Sequence, residues 1–406
     1  MKTIFITISR GSLIRNFFHS GVVPHLLDAG MRVVVLTPNY NDPSLFEAYT
    51  HERLILEPLH QPRRIFFHGL LLELLKGAVF NQTVHSQYLY RIVGTKNPNR
   101  FLYIPRMVLC APLRHIPGAK RFVRWLDRVI NPQREHDYLF QKYDPDLVFA
   151  TTCHERADTG VLKSAQRFGV TSVQMPKSWD NPSKVLFNVK SDLMLVWGGY
   201  MKGQMMKYQG YRGNEVRVVG VPQFDWYTHK ELLLSRERFC SHLGLDPKKR
   251  FIFYGSSGVS HEYEADYVRL VAEAVRNGVL KDVQVLARPH LGYAGDEKQF
   301  EALAQTYPEV VVDRTAKQDH RFKDHWDTST GQIIHLFNAL HHAETCVTVA
   351  STLTLDATAC DTPVINIRFD ASKIGDFAYS VERFYLPDFV RALTETGATW
   401  VVLDKE

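Results

Sequence analysis

The chain has no C-x-x-C, no His/Cys cluster at metal-ligand spacing, no G-x-G-x-x-G, no P-loop and no G-x-S-x-G. Its five cysteines, Cys110, Cys153, Cys240, Cys346 and Cys360, are scattered and odd in number. That argues against a disulfide framework or a structural zinc site and suits a reducing cytoplasm, where such thiols act as small buried hydrophobes. Without the two glycine-rich fingerprints, dinucleotide redox chemistry and NTP hydrolysis lose their usual signals. Internal repeats, low-complexity tracts and recognised nucleic-acid modules are absent as well. The first apolar run, in "MKTIFITISRG", ends at Arg10, too early for a signal-peptide core or a membrane span. It reads as a buried strand. "DPD" at 144–146 resembles a metal-binding carboxylate pair, but it precedes a strand and so falls at the wrong end of a parallel sheet for a site.

What is present is a globular composition, 45% hydrophobic and 23% charged, over 406 residues, a length that implies two domains. The charge is uneven. Residues 60–140 carry 13 Lys/Arg against 4 Asp/Glu, a net of +9, whereas the whole chain is +6. The rest of the molecule is therefore net negative.

Short apolar runs alternate with helical patterns. "TIFITIS", "MRVVVLTP", "RLILEPL", "DLVFATT", "TSVQMP", "DLMLVWG" and "VRVVGVP" form a first series of strands, and a second begins at 250 with "RFIFYGSS", "VQVLARPH", "VVVDR", "TCVTVAS", "PVINIRF" and "TWVVLD". Continuous Val/Ile/Leu runs of this kind belong to parallel strands buried on both faces. "NFFHSGVVPHLLDAG" is expected to be the first helix, with Pro24 weakening its continuity. Between 60 and 140 the alternation gives way to helical stretches, read as an insertion. The expectation is an α/β chain of two Rossmann-like, doubly wound parallel-sheet domains, 1–220 with the insertion at about 60–140, and 221–406.

Ligands of open parallel sheets sit outside the carboxyl ends of the strands. In the second series these ends carry Gly255, Ser256 and Ser257, then Arg288 and His290, then Ser351 and Thr352. Ser351 is a good N-cap, and the helix start behind it offers free N–H groups to an anion. Asp356 lies four residues after Thr352 on the same helical face, where its carboxylate could accept from ribose hydroxyls. Arg288 suits a diphosphate, with His290 as a further donor. In the first series the ends carry Arg10 and Gly11, then His154, then "KSWDNPSK" with Trp179, Asp180, Asn181 and Lys184. A flat aromatic face beside a carboxylate suits a sugar or polyol. The bland alternatives are a plain N-cap, a surface salt bridge at Arg288 and a buried Trp anchoring a loop.

The two halves, together with "VVGVPQFD" (218–225), "ARPH" (287–290) and "HLFNALHHAETCVTVASTLTLDATACDTPVINI" (335–367), resemble the GT-B superfamily of glycosyltransferases. The last stretch is similar to bacterial surface-polysaccharide transferases and CDP-glycerol glycerophosphotransferase-like proteins. The resemblance implies two domains facing across a cleft. It places the nucleotide donor on Arg288, His290, Ser351, Thr352 and Asp356, to which the strand-end reading adds Gly255, Ser256 and Ser257, and the acceptor and base in the first half. Asp180 is the expected base and His154 the alternative, with Arg10, Gly11, Trp179, Asn181 and Lys184 toward the acceptor. No metal and no cofactor are expected. GT-B chains usually finish with helices that cross back to the first domain; here the sequence stops after "TWVVLD", so such helices are expected to be missing or the closure to differ.

The expected activity is transfer of a sugar from a nucleotide donor to a surface glycan or lipid-linked acceptor, in the cytoplasm. Transfer of glycerol phosphate from CDP-glycerol, isomerisation like that of UDP-GlcNAc 2-epimerases, and a non-catalytic binding protein are the alternatives. In "KRFVRWLDRVI" Phe122, Trp125, Leu126 and Val129 fall at helical spacing, flanked by Arg121, Arg124 and Arg128. That pattern fits peripheral contact with the anionic inner face of a membrane.

Overall fold

The computed structural model describes residues 1–94, 98–258, 263–290, 295–315, 319–325, 329–372 and 377–405. They fall into two compact units, one of Met1–Ile92, Asn99–Gln223 and Arg321–Asp324, the other of Val93–Pro98, Phe224–His320 and His325–Glu406.

The first unit is built on seven parallel strands: β1 (Thr3–Thr7), β2 (Arg32–Thr37), β3 (Leu54–Pro58), β4 (Leu147–Ala150), β5 (Thr171–Gln174), β6 (Leu193–Val196) and β7 (Val216–Val218). Their order is β3-β2-β1-β4-β5-β6-β7. Side chains alternate between two cores. Ile4, Ile6, Val33 and Val35 pack with Phe17 and Phe18 on one face, while Phe5, Val34 and Leu36 pack with Phe140 and Val161 on the other. A sheet covered on both sides needs apolar residues at consecutive positions, which is why these strands read as unbroken runs.

The second unit holds β8 (Arg250–Gly255), β9 (Val283–Arg288), β10 (Val310–Val312), β11 (Thr345–Thr348), β12 (Val364–Ile367) and β13 (Trp400–Val402), in the order β10-β9-β8-β11-β12-β13, also all parallel. All thirteen expected strands are present. Both units are Rossmann-like, and in each the strand order reverses beside the unit's first strand, between β1 and β4 and between β8 and β11.

One helix differs from expectation. The segment after β1 is a short turn of helix, a wider turn over Arg15–His19, and then a separate helix Val22–Asp28. The break lies at Gly21, whose φ of +83° suits glycine, and not at Pro24. Pro24 sits in the first turn, where a missing N–H costs nothing. Residues 60–140 are helical, with helices His68–Gly77, Gln82–Val93, Arg100–Cys110, Ala119–Ile130 and Asp137–Tyr143 between β3 and β4. Asp146 pairs with Lys2 at 2.7 Å and accepts from the Thr3 N–H at 2.8 Å, closing the amino end of the sheet. All five cysteines are buried and free. Among the described residues no helix is long and apolar enough to cross a membrane, and no group of three or more His, Cys, Asp or Glu side chains could hold a metal ion.

Candidate functional site

The reversal in strand order opens a crevice at the carboxyl ends, because the connections on either side leave in opposite directions. In the second unit that place is the end of β8, flanked by the loops after β9 and β11. The three loops meet closely. A Cβ on Gly255 would run into the Leu353 side chain, in the first turn of helix Thr352–Ala359. A Cβ on Gly258, at φ +71°, would lie 2.8 Å from His290 Cγ. A side chain at Gly255 would need Leu353 to move, and at Gly258 both the approach of His290 and the backbone favour glycine.

Ser351 caps its helix, its Oγ accepting from the Leu353 N–H at 3.3 Å. The backbone N–H groups of Ser351 and Thr352 have no partner among the described residues. Arg288 is buried, with 6% exposure. Its Nη2 donates to Gln332 Oε1 at 3.2 Å, and its Nη1 stands 3.5 Å from Asp313 Oδ2. That Nη1 is in ion-pair range but makes no hydrogen bond, so a buried cationic donor is left over. Asp313 is braced by His335 at 2.8 Å. Burial alone would raise its pKa, yet Arg288 and the hydrogen bonds from His335 and Thr315 hold it well below the ordinary value.

Two candidates in this unit are turned differently from expectation. Asp356 shares its helix with Thr352, but its carboxylate faces inward and is only 6% exposed, accepting from the Tyr227 hydroxyl at 2.8 Å. A ribose would have to exchange with that hydroxyl. Ser257 is engaged by Glu264: its backbone N–H donates to Oε1 at 2.9 Å and its hydroxyl donates to the same oxygen. Ser256 Oγ accepts from the Gly258 N–H at 2.9 Å and keeps its own proton for a ligand. His290 is exposed, and its backbone N–H donates to Asp296 at 3.0 Å.

In the first unit the crevice lies between β1 and β4. Arg10 does not stand open there: it pairs with Glu155 at 2.8 Å across the two strand ends. The Gly11 N–H donates to Asp324 Oδ1 at 3.0 Å, and Ser12 donates to the same carboxylate from its N–H and its hydroxyl. Trp179 is half-buried, packed against the cluster of Cys153, Met194 and Met201, so the aromatic face expected there is partly open. Asn181 is buried, accepting from the Ser178 N–H at 3.2 Å and donating to Asp180 Oδ1 at 2.7 Å. Lys184 forms an ion pair with Asp180 one helical turn away.

The structure does bring His154 and Asp180 together, each shifting the other's titration. Their chemistry differs. Burial alone would raise the Asp180 pKa, but the charge and hydrogen bond of Lys184, with Ser178 and His154, bring it below the usual value. Burial lowers the His154 pKa, with Lys177 and Lys184 adding to this against Glu155 and Asp180. His154 is therefore neutral at neutral pH, and its Nδ1 has no hydrogen-bond partner. A depressed, doubly held carboxylate is a weak base, whereas a neutral imidazole with an open nitrogen is a serviceable one.

Sequence reasoning missed two buried carboxylates beside these crevices. Asp158 accepts from the Thr7 hydroxyl, and burial pushes its pKa up to about 6. Glu264 accepts from Tyr254 and Ser257, and burial pushes its pKa up to about 7. Their only sequence signal is an acidic residue in the first turn of a helix that follows a strand.

No protein-family model matches the chain, and no curated protein sequence does. Solved structures do match it over almost its whole length. UDP-GlcNAc 2-epimerase from Methanocaldococcus jannaschii is similar with a TM-score of 0.54 at 11% identity, covering 100% of this chain and 90% of that one. UDP-GlcNAc 2-epimerase from Neisseria meningitidis, bound to UDP-GlcNAc, gives 0.53 at 9% identity, covering 97% and 91%. The M. jannaschii enzyme in complex with UDP-GlcNAc and UDP gives 0.51 at 12% identity, again covering 100% and 90%. The likeness is one of fold: two Rossmann-like parallel-sheet domains of GT-B type.

Proposed function

We propose that the protein is an enzyme acting on a nucleotide-activated sugar, with the nucleotide held at the β8/β11 crevice of the second unit. The observation that carries this reading is the spare Nη1 of buried Arg288, at the carboxyl end of β9 and beside the same β8 end as the open N–H groups of Ser351 and Thr352. A buried guanidinium donor and a helix start are the two standard ways of meeting a diphosphate without a metal. Ser256 and His290 border the same place.

The leading reaction is metal-independent sugar transfer to a glycan or lipid-linked acceptor. The candidate base for an acceptor hydroxyl, His154, lies in the first unit, where the charge of Asp180, itself held by Lys184 and Asn181, bears on its imidazole. The diphosphate leaving group is stabilised by Arg288 and the helix dipole. The second reading, C2 epimerisation of a UDP-sugar, is favoured by the neighbours of the same fold, two of which hold UDP-GlcNAc. Glycerol phosphate transfer from CDP-glycerol uses the same diphosphate grip.

One experiment separates these readings. The protein is incubated with UDP-, GDP-, CMP- and CDP-linked donors, with and without a chelator, while nucleotide release is followed. A parallel incubation with UDP-GlcNAc in D2O is followed by proton NMR. Transfer or slow donor hydrolysis releases nucleotide and survives the chelator. Epimerisation exchanges the C2 hydrogen with solvent and leaves the nucleotide attached. If no donor or free nucleoside diphosphate binds at all, the reading fails.

A further inference from the structure

Among the described residues, 14 of the 25 exposed large hydrophobic side chains lie within residues 60–130. Phe66 and Phe101 are almost fully in solvent, at 93% and 96% exposure, and Phe67, Leu109, Phe122 and Trp125 are more than half or nearly half exposed. Scattered exposed hydrophobics are ordinary, but a concentration of this kind marks an interaction surface. The residues belong to one body. Helix His68–Gly77 packs against both Arg100–Cys110 and Ala119–Ile130. The first of these contacts is close enough that a Cβ on Gly77 would come within 2.9 Å of Cys110 Cβ.

Helix Ala119–Ile130 carries charged groups on its inner side, beside the buried Ala119 and Val123. Asp127 is fully buried and pairs with Lys163 at 2.8 Å, while Arg124 donates to the carbonyls of Phe187 and Gln209, both at 2.9 Å. Its outer side carries Phe122, Trp125 and Val129, with the Phe122 and Trp125 ring centroids 5.8 Å apart and the rings tilted by 30°. The protein has thus used charge to hold the helix and left the apolar stripe facing outward. Arg124, expected on that outer rim, belongs to the inner side.

The charge of the surface identifies what covers it. Residues 60–130 contain two carboxylates, Glu73 and Asp127, and both are buried in pairs of their own. Arg63, Arg64, Arg100, Arg121 and Arg128 are exposed. A second copy of this chain would set arginines against arginines with no acid to answer them. An anionic bilayer answers every requirement, with headgroups for the arginines and an interface for the aromatic side chains. We infer that this helical face docks on an anionic lipid surface, with Phe66, Phe67, Phe101, Phe122 and Trp125 entering the interface. The inference does not rest on the nucleotide-sugar reading.

The test is co-sedimentation of the full chain with vesicles of phosphatidylcholine alone or mixed with phosphatidylglycerol, at low and high salt. Wild type is expected to pellet with the mixed vesicles at low salt and to be released by high salt. The triple variant Arg63→Gln, Arg121→Gln, Arg128→Gln is expected to weaken binding ~100-fold, at about a factor of five for each basic residue. Phe101→Ser with Trp125→Ser is expected to weaken it more than ~10-fold. All five residues are exposed, so melting temperature and UDP binding remain as in wild type. The inference is overturned if wild type fails to pellet with anionic vesicles at low salt, or if the aromatic variant binds as wild type does. It is equally overturned if vesicles are ignored and sedimentation velocity shows a dimer that the aromatic variant abolishes.

Discussion

The two crevices obey one topological rule and are filled in opposite ways. At the end of β1 and β4 the ionisable groups answer each other: Arg10 is closed by Glu155, Asp180 by Lys184, and the Gly11 N–H by Asp324. Among the atoms left without a partner there is a buried nitrogen of the neutral His154 imidazole. At the end of β8 and β11 the pairing is incomplete on the cationic side, with one guanidinium nitrogen of Arg288 and two helix-start N–H groups left over. The first environment is suited to moving a proton and the second to holding an anion. The strand order of a fold locates a site, and the bookkeeping of partners around it decides its chemistry.

The largest expected effect breaks the comparison at the first crevice. His154→Gln should lower turnover ~10²–10⁴-fold, the range for a general base, while leaving nucleotide affinity unchanged because Arg288 and the helix start lie in the other unit. Asp180→Asn should cost less, since its carboxylate is already held by Lys184 and Asn181. The wild-type rate should rise with pH up to the depressed His154 pKa, below the ordinary 6.5, and stay level through neutrality. If Asp180→Asn proves the more damaging of the two, the roles reverse.

The second effect concerns stability and sets the two buried carboxylates side by side. Glu264 titrates near 7 in the folded protein against an ordinary 4.5, so the folded state binds that proton more tightly than the unfolded chain does. Its contribution is therefore complete below about pH 4.5 and lost as pH rises toward 7, on the order of 3 kcal/mol. Glu264→Gln should gain on wild type in urea unfolding from pH 5 to pH 8, and a pH-independent difference would remove the case for a protonated Glu264. Asp158→Asn should show a smaller gain of the same sign, ending near pH 6.

The third effect tests the anion grip. Arg288→Ala should weaken UDP binding by ~1.5–3 kcal/mol in calorimetry, the scale of a charge-assisted hydrogen bond. His335 still braces Asp313 in this variant, so the carboxylate is not orphaned. Equal UDP affinity in wild type and variant would move the phosphate elsewhere.

The strands and their ends were legible because burial on both faces leaves a continuous apolar run, and the rule about carboxyl ends then names the residues that follow. Partnerships were not legible. Arg10 meets Glu155, Arg288 meets Asp313 and Asp356 meets Tyr227 through contacts between segments far apart in the chain. No local spacing encodes such pairs. The half-burial of Trp179 is not legible for the same reason, since it depends on Cys153 and Met201 packing beneath it. Glu264 was missed because an acid in a first helical turn ordinarily complements the helix dipole in solvent, and only tertiary burial turns it into a raised carboxyl.

The smallest effect decides whether Asp356 touches a ligand or only holds its helix. Its carboxylate already accepts the Tyr227 hydroxyl within the second unit's aromatic core. If a ribose hydroxyl replaces tyrosine when nucleotide binds, Asp356→Asn should weaken UDP about 3–10-fold, roughly one hydrogen bond, and hardly change inorganic diphosphate. Tyr227→Phe should then leave UDP binding within about twofold, because the group it removes is the one the ribose displaces, while costing the fold about 1 kcal/mol. If Asp356 acts only by anchoring helix Thr352–Ala359, both variants shift the helix start and should weaken UDP and inorganic diphosphate alike. Equal losses for the two ligands would therefore take the ribose away from Asp356 and leave it a positioning residue for the N–H groups of Ser351 and Thr352.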